Sequence, residues 1–204
     1  MKLSEAIKEK GKPFIVPNCP RRELAPFFKE LCFKVGAEVG VYMGKFTERF
    51  LKEGIKMYAI DPWIPYVGTG RSFRQPAMQD KVYEEAKKTL TPYENCVIVK
   101  KTSMEAIGDF KNESLDFVYL DGDHRFRYIA EDLAEWVRKV RKGGIVAGHD
   151  YHNTRPGARN VMCQVKAVLD AYLEAFGIEN FYLLGGVRGE DSYDKYYSWF
   201  FIKQ

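Results

Sequence analysis

All three histidines of this 204-residue chain fall in two short segments, Tyr119-Leu120-Asp121-Gly122-Asp123-His124 and Ala147-Gly148-His149-Asp150-Tyr151-His152. Carboxylates and imidazoles converging from neighbouring strand ends make a divalent-metal site, with oxygen ligands favouring magnesium or manganese. Asp121, His149 and Asp150 are the candidate ligands. A cation held there would bind and acidify a hydroxyl on a second molecule. Asp123 or His124 would then remove the proton, since a crevice can tune either pKa toward neutrality. The competing reading is structural: Asp121-Gly122-Asp123 as a turn closed by an Asx hydrogen bond, with His149 and His152 as exposed loop residues.

A second constellation lies upstream, in Glu38-Val39-Gly40-Val41-Tyr42-Met43-Gly44. Glycines at 40 and 44 let a strand turn sharply into a helix and let backbone pass close to a ligand. Asp61 ends the next apolar run, where its carboxylate can accept hydrogen bonds from both hydroxyls of a ribose. The pattern lacks the third glycine of Gly-x-Gly-x-x-Gly, which packs against a pyrophosphate. Glu38 has the wrong charge for phosphate and the right one for an ammonium or sulfonium. Here too there is a plainer reading, with both glycines as tight packing positions and Asp61 as a strand-end residue before Pro62.

These residues require a particular scaffold. Short apolar runs at 37–41, 56–61, 96–100, 115–120 and 144–148 alternate with amphipathic helical stretches at 22–33, 47–52, 80–90, 103–107 and 128–140. That alternation yields a parallel sheet with helices on both faces. A long helix is expected from Asn160 to Phe176, with Val161, Val165, Val168, Leu169 and Tyr172 on one face. Phe181-Tyr182-Leu183-Leu184 and Tyr197-Ser198-Trp199-Phe200-Phe201-Ile202, joined by a polar connection, read as an antiparallel hairpin. In an open α/β sheet, ligands bind outside the carboxyl ends of the strands, so both constellations face one crevice.

The Glu38-to-Gly44 turn with Asp61 resembles motif I of the class I S-adenosylmethionine-dependent methyltransferases, whose fold also ends in an antiparallel hairpin. The resemblance implies a Rossmann-like α/β fold: a mostly parallel seven-stranded sheet, helices on both faces and a C-terminal hairpin. It implies S-adenosylmethionine as cofactor, with Glu38, Gly40, Tyr42, Gly44, Asp61, Trp63, Ser103, Met104 and Asp121 as its site and Ser103-Met104 along the adenine. Ser103 also reads as a helix N-cap. Asp-Gly-Asp-His, Lys142-Gly143-Gly144 and the His-Asp-Tyr strand end look like the macrocin-type sugar O-methyltransferases, which, like the catechol O-methyltransferases, place metal-binding acids after these two strands. This sequence departs from them in having His149-Asp150 where they often have Asp-Asp or Asp-Asn.

The acceptor wall is expected in three loops. Trp63 and Tyr66 can pack on adenosine or acceptor, and Arg71 and Arg74 can meet an acidic group. Segments 151–157 and 189–193 complete it. The expected acceptor is therefore a hydroxylated small molecule, sugar-like or phenolic. A noncatalytic S-adenosylmethionine-binding or regulatory protein, and a nucleic-acid methylase, are the alternatives, and a nicotinamide oxidoreductase is disfavoured by the missing glycine.

Composition sets the outer bounds. Hydrophobic residues at 46% and charged residues at 29% exclude a disordered chain. The net charge of +4 is spread along the sequence, and only Arg71 to Arg74 approaches a basic stripe, which speaks against a nucleic-acid partner. Cys19, Cys32, Cys96 and Cys163 form no CxxC pair and read as reduced thiols. The expected organisation is one domain, 1–204, with an N-terminal helical segment (1–34) before a core at 35–204. Homo-oligomers are compatible with it. With no bilayer-spanning stretch and a charged start at Met1-Lys2-Leu3-Ser4-Glu5, the expected location is the cytoplasm.

Overall fold

A computed structural model describes residues 1–65, 76–154, 162–185 and 196–204. The central parallel series is β2 (Val35–Val39), β3 (Lys56–Ile60), β4 (Cys96–Val99), β5 (Leu115–Leu120) and β6 (Val140–Gly148). The antiparallel pair is β7 (Phe181–Gly185) and β8 (Tyr197–Ile202), and β8 lies antiparallel to β6 as well. The sheet order is β1-β7-β8-β6-β5-β2-β3-β4. One strand exceeds the seven expected: the two-residue β1 (Phe14–Ile15), which pairs in parallel with β7 at the sheet edge. Two residues are too few to show an alternating pattern, so periodicity passes over them.

The helices are α1 (Leu3–Ala6), α2 (Leu24–Glu30), α3 (Lys45–Lys52), α4 (Pro76–Leu90), α5 (Ser103–Ala106), α6 (Phe126–Lys139) and α7 (Val165–Ala175). Alternation along β5 divides them between two cores. Phe117 and Tyr119 face α2 and α3 through Phe28, Phe46 and Phe50, with ring centroids 4.4–5.0 Å apart for Phe28–Phe117, Phe46–Tyr119 and Phe50–Phe117. Val118 and Leu120 join the opposite core, with Ile129, Leu133 and Trp136 of α6 and Val168, Leu169 and Leu173 of α7. A strand buried on both faces reads as a near-continuous apolar run, as β5 does from Phe117 to Leu120.

Several boundaries shift. The helix expected at 22–33 is a 3₁₀ turn, Arg21–Glu23, running into α2. Helix α6 stops at Lys139, and Val140 begins a strand that runs through Gly143-Gly144, expected as a turn. A Cβ on Gly144 would meet the Asp116 carbonyl, so this glycine permits close strand approach. The start of the expected 160–176 helix, with Val161, lies outside the described residues, as do Tyr66, Arg71, Arg74, 155–157 and 189–193.

The order of strands fixes where a ligand goes. From β2 the chain proceeds outward through β3 and β4, then returns to pair β5 on the other side of β2. That reversal opens a crevice at the carboxyl ends of β2 and β5.

Candidate active site

A cavity of about 1410 Å³ occupies this crevice. Single-ligand pockets run to about 300–1,000 Å³, so there is room for two molecules. Its lining includes Glu38, Gly40, Tyr42, Asp61, Ser103, Met104, Asp121, Asp123, His124 and Asp150, which brings most of the sequence-derived residues onto one wall.

The β2–α3 turn is held by Asp61. Its Oδ2 accepts the Val41 and Tyr42 backbone N–H groups, each at 3.0 Å, and its Oδ1 accepts the Trp63 N–H at 2.8 Å. A carboxylate has about four acceptor sites, so one, on Oδ1, remains for a ligand hydroxyl. Burial raises the pKa of Asp61 and these three hydrogen bonds oppose the rise. The two glycines divide their work. Gly40, at φ +89°, faces the Asp121–Gly122 backbone, whereas Gly44, at φ +79°, starts α3 with its bare side against Leu90.

Trp63 does not line the cavity. Its ring is buried against Tyr83, 4.8 Å between centroids, and its Nε1 donates to the Tyr42 carbonyl at 2.9 Å. It braces the β2–α3 turn from behind. A large apolar ring next to a buried wall is better satisfied in the core than beside a ligand.

Glu38 is buried at the cavity floor, with the Thr47 hydroxyl donating to Oε2. Burial pushes its pKa up to about 8, with the Thr47 hydrogen bond acting the other way. A buried carboxyl with one hydroxyl donor is suited to a cationic ligand group.

At the other end the strand-end acids converge. His124 Nε2 lies 3.3 Å from Asp121 Oδ1 and 3.4 Å from Asp150 Oδ2. Ligand atoms of Asp121, His124 and Asp150 all fall within 4.8 Å of one another. Burial alone would lower the pKa of His124, but the adjoining Asp121, Asp150 and Asp123 raise it. Asp150 adopts a left-handed φ of +55°, a conformation that costs a non-glycine residue energy and aims its side chain back at the cluster.

His149 Nδ1 lies 3.4 Å from Asp150 Oδ2 and 4.0 Å from Asp121 Oδ1, while its Nε2 is buried without a hydrogen-bond partner. A bare acceptor is cheaper to bury than an N–H, which places the ring hydrogen on Nδ1, donating to Asp150. In that tautomer His149 orients Asp150, and His124 completes the set of three. Asp123 is committed elsewhere: Arg125 grips both its oxygens, at 2.5–3.1 Å. Burial would raise the pKa of Asp150, but the His149 ring N–H and the neighbouring imidazoles push it down to about 2.

Two participants, Arg21 and Asp132, escape sequence reading, and Ser103 takes a different role from the cap expected of it. Arg21 reaches Asp121 Oδ2 at 3.5 Å and lies 4.7 Å over the Phe46 ring, far from either in sequence. Ser103 is not the N-cap of α5, because Thr102 takes that place in a capping box with Glu105. Instead Ser103 Oγ donates to Asp132 Oδ1 and accepts from Trp136 Nε1 at 2.8 Å. Asp132, a buried carboxyl on the amphipathic helix α6, is the other unforeseen member.

Residues 37–151 match the sequence profile of a methyltransferase domain, a span that covers both constellations except His152. The chain belongs to this methyltransferase-domain family. Its fold is that of the class I, S-adenosylmethionine-dependent members. The O-methyltransferase TomG of Streptomyces achromogenes, solved with S-adenosylmethionine, is 14% identical with a TM-score of 0.60, over 90% of this chain and 79% of that one. An rRNA methylase of Streptococcus thermophilus is 13% identical with a TM-score of 0.56, over 92% and 98%. A 53-residue stretch is 30% identical to protein y4gI of Sinorhizobium fredii, described as uncharacterized. That match covers 26% of this methyltransferase chain and 6% of the relative's length. Among the described residues, no helix is long and apolar enough to cross a membrane.

Proposed function

We propose that this methyltransferase moves the methyl group of S-adenosylmethionine to a hydroxyl oxygen of a small, sugar-like or phenolic acceptor. The observation that carries this reading is the continuity of one cavity from the Glu38–Asp61 turn to the Asp121–His124–Asp150 cluster. The first end suits the cofactor. Glu38 meets the ammonium or sulfonium side, Asp61 accepts a ribose hydroxyl on Oδ1, Tyr42 and Gly40 shape the turn, and Ser103 and Met104 run along the adenine. The second end suits an acceptor oxygen held in line with the sulfonium methyl.

His124 Nε2 is the atom placed to take the acceptor's proton, and the flanking carboxylates of Asp121 and Asp150 favour the imidazolium that forms. Asp123, gripped by Arg125, leaves that role to His124. Asp121, Asp150 and the His124 imidazole also fit a divalent cation, two carboxylates and one nitrogen being a donor set that manganese or magnesium accepts. Such a cation would take up the His124 lone pair and act as a Lewis acid toward the acceptor hydroxyl in place of His124 as base.

Oxygen in a small molecule is favoured over RNA because three of the cations lining the cavity are neutralised at home. Arg21 sits on Asp121, Arg125 on Asp123 and Arg127 on Glu131. A phosphate backbone calls for a continuous basic stripe instead. We read residues 1–204 as one domain, and the four free cysteines suit a reducing compartment such as the cytoplasm.

Thermal-shift measurements with S-adenosylmethionine, S-adenosylhomocysteine and NAD test the cofactor, with stabilisation by the first two expected. Stabilisation by NAD alone contradicts it. Transfer of labelled methyl to a panel of vicinal diols, phenols, amines and RNA tests the acceptor, and label found only in amines or RNA overturns oxygen methylation. Alanine at His124 should keep cofactor binding and abolish turnover. A noncatalytic binding protein would show no turnover to lose.

A further inference from the structure

Asp132 is a carboxyl buried to 3% exposure in the cavity wall, with no part in the chemistry above. Its hydrogen bonds have a fixed polarity. Trp136 Nε1 can only donate, so Ser103 Oγ must accept from it, at 2.8 Å. The Ser103 hydroxyl hydrogen is then directed to Asp132 Oδ1, which serves as acceptor. Any proton on this carboxyl therefore resides on Oδ2.

Among the described residues, no donor reaches Oδ2. This oxygen lies beside the bare face of Gly122, 3.9 Å from where a Cβ there would stand, and Gly122 itself lines the cavity. Burial pushes the carboxyl up to about 7, the Ser103 hydrogen bond pulling the other way. An acceptor that faces the cavity without a protein donor is satisfied by one that the ligand brings.

We propose that Asp132 is a specificity residue whose Oδ2 accepts a hydrogen bond from the exocyclic amino group of the cofactor's purine. The inference rests on the S-adenosylmethionine reading and adds to it. Ser103, Met104 and Gly122 line the same cavity, and Ser103 and Gly122 flank the Asp132 carboxylate, so a purine lying along Ser103 and Met104 would bring its edge to Oδ2. With the carboxylate ionised, at pH above about 7, a purine with a 6-oxo group would put one acceptor against another there. Discrimination by a buried, prearranged polar group is stronger than by apolar shape.

The test compares S-adenosylhomocysteine with its deaminated counterpart, S-inosylhomocysteine, by calorimetry on the full chain. The wild type should bind the 6-amino ligand more tightly by about tenfold or more, the worth of one buried hydrogen bond. In Asp132→Asn the Ser103 hydroxyl still needs an acceptor, which turns the amide oxygen to Ser103 and the NH₂ to the cavity. That variant should bind the 6-oxo ligand better than the wild type does and reverse the preference.

Asp132→Ser, small and uncharged, is the second variant and should bind the two ligands about equally. Equal binding by the wild type overturns the proposal. So does an equal loss for both ligands in the variants, which is what a purely structural Asp132 would give. If the wild type binds neither ligand, the cofactor reading fails and takes this inference with it. Binding without selectivity leaves the cofactor reading standing and removes this one alone.

Discussion

Gly40 and Asp121 stand so close at the ends of β2 and β5 that a Cβ on residue 40 would collide with the Asp121 carbonyl and the Gly122 nitrogen. Both obstructing groups are backbone and cannot swing aside. The left-handed φ of +89° excludes side chains as well. Glycine at 40 thus allows the β2–α3 turn and the acidic strand end to converge on one crevice. Gly40→Ala should cost about 1–3 kcal/mol from its φ alone, with more from displaced backbone. Urea unfolding should show the lowered midpoint, and calorimetry should show loss of S-adenosylmethionine binding in whatever protein remains folded. Native-like values in both would contradict this account.

Asp61 should behave as a fastener of the turn as well as a ribose ligand. Asn at this position keeps one acceptor oxygen and turns an NH₂ toward either the Val41 and Tyr42 amides or that of Trp63. A donor facing a donor in a buried site costs about 1–3 kcal/mol. Asp61→Asn should therefore weaken S-adenosylmethionine binding by about tenfold or more and speed hydrogen exchange at Val41 and Tyr42 in the ligand-free protein. Weakened binding with unchanged exchange would assign Asp61 to the ligand alone.

The legible parts of this protein were those with local signatures. The five parallel strands are apolar runs, and the acids at 61, 121 and 150 follow three of them, so topology alone carried these acids to one rim. The edge strand Phe14–Ile15 is shorter than any pattern and depends on its partner Tyr182–Leu183, far away in sequence. Trp63, Ser103 and Asp132 were misjudged or missed for a related reason. Which way an indole, a hydroxyl or a helical carboxylate points is decided by partners from other elements, here Tyr83, Trp136 and one another. Arg21 is the extreme case, since its position depends on how the N-terminal turn packs over Phe46.

Cation binding at the cluster has a distinctive expected pattern of variants. Manganese should raise the melting temperature of the wild type, because a ligand bound only by the folded form stabilises it. Asp121→Asn and Asp150→Asn should lose that shift, since each removes a charged oxygen from the group of three. His149→Ala should weaken it by about 10–100-fold in affinity without abolishing it, as expected for a residue that orients a ligand. A wild type indifferent to manganese and magnesium would leave His124 with the acceptor proton unaided.

Glu38 should impose a pH dependence of definite sign. Burial raises its pKa in the folded protein from 4.5 to about 8, so the native state holds the proton more tightly than the unfolded chain does. Between those values the folded form carries more bound proton, and stability falls as pH rises. Below about 4.5 both states are protonated, and above about 8 both are ionised, so this contribution is flat outside the window. One proton gives a slope of at most about 1.4 kcal/mol per pH unit. Asp132, raised to about 7, adds a contribution of the same sign over its own window. Glu38→Gln keeps an acceptor for the Thr47 hydroxyl and removes the charge, so it should flatten the part of the slope that persists between about 7 and 8. A cationic ligand group favours the ionised form, so S-adenosylmethionine affinity should climb with pH toward 8 in the wild type and not in the variant. Denaturant unfolding across pH 5 to 9 measures the first effect and calorimetry the second. A variant that keeps the wild-type slope in both would show that Glu38 does not face the cofactor's charge.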